Sequence, residues 1–180
     1  MIAHRVNLRM KESPARMQAF DRRTAAIHEA GHALMALYLG YDANACIRPA
    51  NTFKPLDEKT WIGHMTIHRK PVEPNHPHTR MVAVAGLVAE TLWRHGHDEE
   101  YAVPDGWEDY LRDEDSMSYS DWRLSGCLPG EPDDDLYNVA AHVADLFMGD
   151  LWPVLVDISR TLIVGAGSVH SFQTEAVEAA

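Results

Sequence analysis

Cysteine is nearly absent from this chain: Cys46 and Cys127 are the only two in 180 residues. Their separation matches no zinc-knuckle spacing, and one pair makes no disulfide framework, so both read as reduced thiols. Positive charge is also sparse, with 16 Lys and Arg against 27 Asp and Glu and a net charge of −11. No basic stripe is present to meet a phosphate backbone, so no nucleic-acid partner is expected. Long apolar runs are missing too. The longest uncharged one, MVAVAGLVA at 81–89, is far short of the roughly 20 residues that cross a bilayer. The opening MIAHRVNLRMKESPARM has no apolar h-region of a secretory signal. These absences lead us to expect a soluble, cytoplasmic protein with no membrane partner. No G-x-x-x-x-G-K-[ST] loop occurs either, so no ATP hydrolysis is expected.

What remains suits one globular domain over 1–180, large enough to bury a core without staples. Residues 1–12 read as a flexible N-terminus and 168–180 as a tail or short terminal helix. Ser13 and Pro14 form a helix start, a hydroxyl cap followed by proline at the first helical position. The helical pattern runs to Leu39, with a break expected near Arg22–Thr24. Ile27, Gly31, Leu34 and Tyr38 form its buried stripe, and Gly40 ends it. ACIRPA (45–50) and TWIGHMTIH (60–68) read as two strands joined by the turn NTFKPLDEK. The proline-rich RKPVEPNHPH (69–78) reads as a loop, and a helix is predicted from Pro77 to His95. DEEYAVPDGWEDYLRDED (98–115) sets nine carboxylates against Arg112 and reads as a solvated acidic loop. SMSYSDWRLSG reads as a short turn. Asp133–Asp135 cap a helix through Met148, and Leu151 to Val164 form the last one. The expected fold is mainly α (α+β), with one small β-hairpin or ribbon beside the first helix.

One pentapeptide in that first helix carries chemistry. HEAGH places His28 and His32 four residues apart, on one face and one turn apart. Both rings can therefore aim a nitrogen at one point, as a tetrahedral Zn²⁺ requires of two ligands. Glu29 is rotated by about 100° from His28, which suits it to take a proton from a water rather than to ligate. The surrounding segment is apolar, so these polar groups need partners, and a metal would supply one for both rings. A catalytic zinc site wants a third protein ligand and one open position. The candidates are Glu90 on the 77–95 helix, Asp121 in SYSDW, the Asp133–Asp135 cluster and the remaining histidines. Position 38 is Tyr, which excludes the H-E-x-x-H-x-x-G-x-x-H extension.

The strand at 61–68 could hold an extended peptide by backbone hydrogen bonds, with Gly63 allowing close approach. Gly63, His64 and Met65 are the expected substrate-binding residues. His64 and His68 share a face of that strand and read as surface histidines, as do His76, His78, His95, His97 and His142.

HEAGHALMALYLG resembles the zinc-site helix of the peptidase domain of FtsH, the membrane-bound AAA+ protease. IRPANTF and WIGHMTIHR are similar to that family's pair of strands after the helix. RMVAVAGLVAETLW is similar to its helix with a Gly-x-x-Ala-Glu segment. The resemblance covers roughly 20–165 and is most specific at the first helix. It implies a helical zincin-like fold, a Zn²⁺ cofactor and an aspartate as third ligand. SMSYSDW matches best and gives Asp121, with Asp135 as the runner-up; Glu90 would then orient a histidine. The acidic stretch 98–115 looks like an insertion relative to the family. With no nucleotide-binding motif or membrane anchor, unfolding and threading do not carry over. The expected activity is a metallopeptidase acting on peptides or unfolded protein, alone, as a homo-oligomer or with a separate unfoldase. The alternative is a catalytically silent zinc-binding protein that regulates another protease. A metal-dependent hydrolase acting on a different bond is the weakest reading.

Overall fold

Alanine crowds the middle of the first helix, and that is where a second helix comes closest. The computed structural model describes residues 14–50, 60–68 and 73–174. The first helix, α1 (Pro14–Tyr38), is unbroken, with Ala26, Ala30, Ala33 and Leu34 fully buried. No break occurs at Arg22–Thr24 because the polar residues there are anchored. Arg22 donates to the Ile163 carbonyl and lies over the Trp61 ring, while Thr60 donates its N–H and hydroxyl to Asp21. The predicted stripe holds at Ile27, Gly31 and Leu34 but not at Tyr38, which is 45% exposed. Gly40, at φ 84°, ends the helix in the left-handed region that a side chain disfavours.

Strands β1 (Ala43–Pro49) and β2 (Trp61–Ile67) pair antiparallel, with Ile47 opposite Gly63 and Cys46 opposite His64. The alternation of β1 turns Ala43, Ala45 and Ile47 into the core. A third strand, β3 (His170–Phe172), pairs antiparallel with the other side of β1. The sheet is therefore three-stranded, in the order β2-β1-β3, rather than a two-stranded ribbon. Part of the expected tail belongs to it. Among the described residues, β2 is an open edge. The flexible N-terminus expected at 1–12, the turn at 51–59, part of the 69–78 loop and the last residues of the tail lie outside the described residues.

Helix α2 (Pro77–His95) has the predicted bounds and is buried almost all round from Thr79 to Leu92. It packs on α1 so closely that a Cβ at Gly31 would overlap the Ala85 carbonyl and the Ala89 methyl. The acidic stretch is not a solvated loop. It forms two short 3₁₀ turns (Glu99–Ala102 and Pro104–Trp107) and α3 (Glu108–Leu111). Its carboxylates face outward, while Tyr101, Trp107 and Leu111 enter the core. Truncating Trp107, which is fully buried, to alanine would cost about 3–5 kcal/mol. The expected turn after it is α4 (Tyr119–Ser125), which Gly126 ends at φ 80°.

Helix α5 (Asp134–Leu146), capped by Asp133, is followed by a wide turn (Phe147–Leu151) and α6 (Trp152–Val164). Counted as one run, Asp134–Val164 is long and apolar enough to cross a membrane by length and composition. Gly149, at φ −86° and ψ −138°, breaks it in two, and α6 packs on α1. Both cysteines are free thiols.

Candidate metal centre

The two histidines of α1 reach the same point because their other nitrogens are already engaged. His32 Nδ1 lies 2.6 Å from the Val82 carbonyl oxygen and donates to it, which leaves Nε2 with its lone pair. His28 Nδ1 lies 3.3 Å from Glu90 Oε2. The two Nε2 atoms then stand 3.1 Å apart.

Asp121 comes from α4 to complete the group. Its backbone N–H is capped by the Ser118 hydroxyl, and its own Oδ2 accepts from that hydroxyl at 2.6 Å. This capping box fixes the carboxylate. Oδ1 lies 3.7 Å from His32 Nε2, and Oδ2 lies 3.9 Å from His28 Nε2. All three candidate ligand atoms fall within 4.8 Å of one another. Two ligands of a tetrahedral zinc are separated by about 3.3 Å, given bonds of about 2.0–2.1 Å. The trio needs only small side-chain movements to meet that spacing.

Space has been left at the same point. A Cβ on Gly86 of α2 would overlap the Nε2 atoms of both His28 and His32. Two imidazoles and one carboxylate, with a fourth position free, are the donor set of a catalytic zinc site. The residues fit the ion.

The electrostatics agree. Burial opposes a charge on His28, but the carboxylates of Asp121, Glu90 and Glu29 outweigh it and raise its pKa to about 10. Burial alone would raise Asp121, yet His32, His28 and Ser118 bring it down to about 2. The metal-free group thus retains a proton among its nitrogens and an ionised carboxylate beside them. A cation displacing that proton would meet a charge already present.

Glu29 is 7% exposed and, among the described residues, makes no hydrogen bond to another side chain. Burial raises its pKa above the ordinary carboxylate value, against the pull of His32 and His28. A raised pKa suits a carboxylate that must take and return a proton near neutrality. Glu29 and His28 line a cleft of about 710 Å³, together with Ile62 and Gly63 of β2 and Tyr110 and Met117 beyond.

The other expected site residues lie elsewhere. Gly63 lines the cleft, whereas His64 is exposed and Met65 packs on the core; neither lines it. Asp135 sits 3.5 Å from Arg80 Nε, and Asp133 caps α5 while pairing with the same guanidinium. Glu90 contacts His28 rather than the ligand point, and its other oxygen pairs with Arg94 at 2.6 Å. His76, His95, His97 and His142 are exposed, and His78 hydrogen-bonds the Tyr41 hydroxyl at 2.7 Å. Sequence reasoning missed Gly86 and Ser118. Gly86 does carry a signal: a glycine inside an apolar helix costs about 1 kcal/mol relative to alanine and calls for a reason.

Comparison of the chain with protein-family models found no match, and comparison with curated proteins found no significant one.

Proposed function

We propose that this chain is a zinc-dependent metallopeptidase, independent of ATP in its own chemistry. The observation that carries the reading is the convergence of His28 Nε2, His32 Nε2 and an Asp121 oxygen on the space left by Gly86. The likeness of HEAGH and GLVAE to the FtsH peptidase helices supports it.

In this reading His28, His32 and Asp121 hold the ion. A bound Zn²⁺ supplies a Lewis acid for the scissile carbonyl and lowers the pKa of water. Glu29 receives a proton from the attacking water and delivers it to the leaving amine. The open edge of β2 pairs with an extended peptide, and Gly63 lets that backbone lie near Glu29. Glu90 orients the His28 ring, and Ser118 orients Asp121. The substrates are short or already unfolded peptides, or chains delivered by a separate unfoldase.

Glu29→Gln tests the mechanism. The variant should keep one zinc per chain and lose peptide cleavage by at least about 100-fold. Full cleavage by that variant would defeat the mechanism. One zinc bound with no hydrolysis by the wild type would turn the site into a binding device.

A further inference from the structure

The wall that the acidic segment contributes to the cleft carries charge with nothing on the protein to neutralise it. Asp109, Asp113 and Asp115 line the same cleft as His28, Glu29 and Gly63. Among the described residues, none of the three forms an ion pair with Lys or Arg. Arg112, the one cation of the segment, pairs with Glu108 at 2.8 Å and acts on Asp109 only at longer range. Arg94 also lines the cleft, but Glu90 holds it.

This wall is fixed in place. Leu111 and Met117, on either side of the 112–116 turn, are buried, and Trp122 donates its indole N–H to the Glu114 carbonyl at 3.1 Å. Trp122 follows the candidate ligand Asp121 in α4, so the turn and the metal centre share one support. Like charges on such a turn repel one another, and a mobile loop would relieve that strain by spreading. Here the backbone is clamped and the carboxylates stay at the cleft. A second feature of the cleft also calls for a ligand: the buried Glu29 carboxylate, which lines it without a hydrogen-bonding side chain.

We propose that Asp109, Asp113 and Asp115 select peptides with a lysine or arginine side chain near the scissile bond. This inference rests on the hydrolytic reading of the site and names its substrate class. A peptide paired with the β2 edge lies in a cleft that these carboxylates also line, and a long cationic side chain can reach across to them. The contact is solvent-exposed, so it contributes selectivity through Coulomb attraction that salt weakens.

The test uses three labelled peptides of matched sequence with Lys, Ala or Glu at one position. Their binding to zinc-loaded Glu29→Gln protein is measured by fluorescence anisotropy, and their cleavage is followed with the wild type. The Lys peptide should bind roughly tenfold more tightly than the Glu peptide at low salt, with the gap closing near 1 M salt. The triple variant Asp109→Asn, Asp113→Asn, Asp115→Asn should lose the preference while keeping its zinc content and its affinity for the Ala peptide. Equal binding of the three peptides, binding of none, or a Lys preference that survives in the triple variant would overturn the proposal. Cleavage of all three at equal rates would overturn it while leaving the hydrolytic reading intact. A Lys preference in binding without cleavage of any peptide would do the reverse.

Discussion

The Gly63 backbone lies against the Glu29 carboxylate, so close that a Cβ at position 63 would overlap the Glu29 side chain. Gly63 sits in extended strand, where alanine is conformationally acceptable, so the clash with Glu29 is what decides the outcome. Gly63→Ala should fold and retain zinc, while the displaced carboxylate lowers kcat on a quenched peptide by on the order of 100-fold. Measuring zinc content beside kcat separates this from a general loss of structure.

Gly86→Ala should discriminate metal binding from folding. Alanine favours a helix interior over glycine by about 1 kcal/mol, so α2 itself gains. The methyl group, however, would occupy the point that His28 and His32 face. The variant should keep its far-UV circular dichroism and bind no zinc by atomic absorption. Wild-type zinc stoichiometry in this variant would place the ion elsewhere.

The third ligand can be assigned by comparing three variants. Asp121→Ala should abolish stoichiometric zinc binding, and Asp135→Ala should leave it unchanged, because Asp135 faces Arg80. Glu90→Ala removes the acceptor beside His28 Nδ1 and should weaken zinc affinity by about 10–100-fold without eliminating it. Competition with a chromogenic chelator resolves all three.

The buried Arg80 guanidinium, paired with Asp133, ties α2 to the start of α5. Its hydrogen bond holds the Asp133 carboxyl below the ordinary value, outweighing burial, which acts to raise it. A folded-state pKa below the unfolded one stabilises the protein above the unfolded value, about 3.9 for aspartate. That stabilisation is lost as pH falls through the still lower folded value. Asp133→Asn should therefore flatten the acid limb of stability against pH, measured by urea unfolding. Asp133→Ala, which removes the cap as well as the partner of Arg80, should cost about 2 kcal/mol or more at neutral pH.

The sequence exposed the parts of this protein whose signals are local. HEAGH fixes a face of α1 by helical period alone, and Pro77 and Gly96 bracket α2. Asp121 was found through a resemblance, since no spacing rule links it to a helix so far upstream. The unseen parts depend on distant contacts. Strand β3 has three residues and exists because β1 offers it an edge, which a short run near the C-terminal end cannot announce. Arg22 sits in an unbroken helix because its guanidinium finds Ile163 and Trp61. The acidic stretch looked solvated because carboxylates dominate its composition. Its three buried side chains, Tyr101, Trp107 and Leu111, were the contrary signal, and their common destination shows only in the fold. GLVAE has a different physical logic from the one its resemblance suggests: Gly86 leaves room for the ligand point, Ala89 meets Gly31, and Glu90 meets His28.

Ser118 and Trp122 flank the candidate ligand Asp121 on one short helix, and the indole of Trp122 secures the turn that carries Asp113 and Asp115. An ion joining Asp121 to α1 would therefore act as a clasp, closing a loop that runs from the first helix through the acidic wall. Zinc supply then governs the shape of the cleft as well as its chemistry, and a starved cell would hold a protein whose grip on charged peptides slackens along with its capacity to cut them.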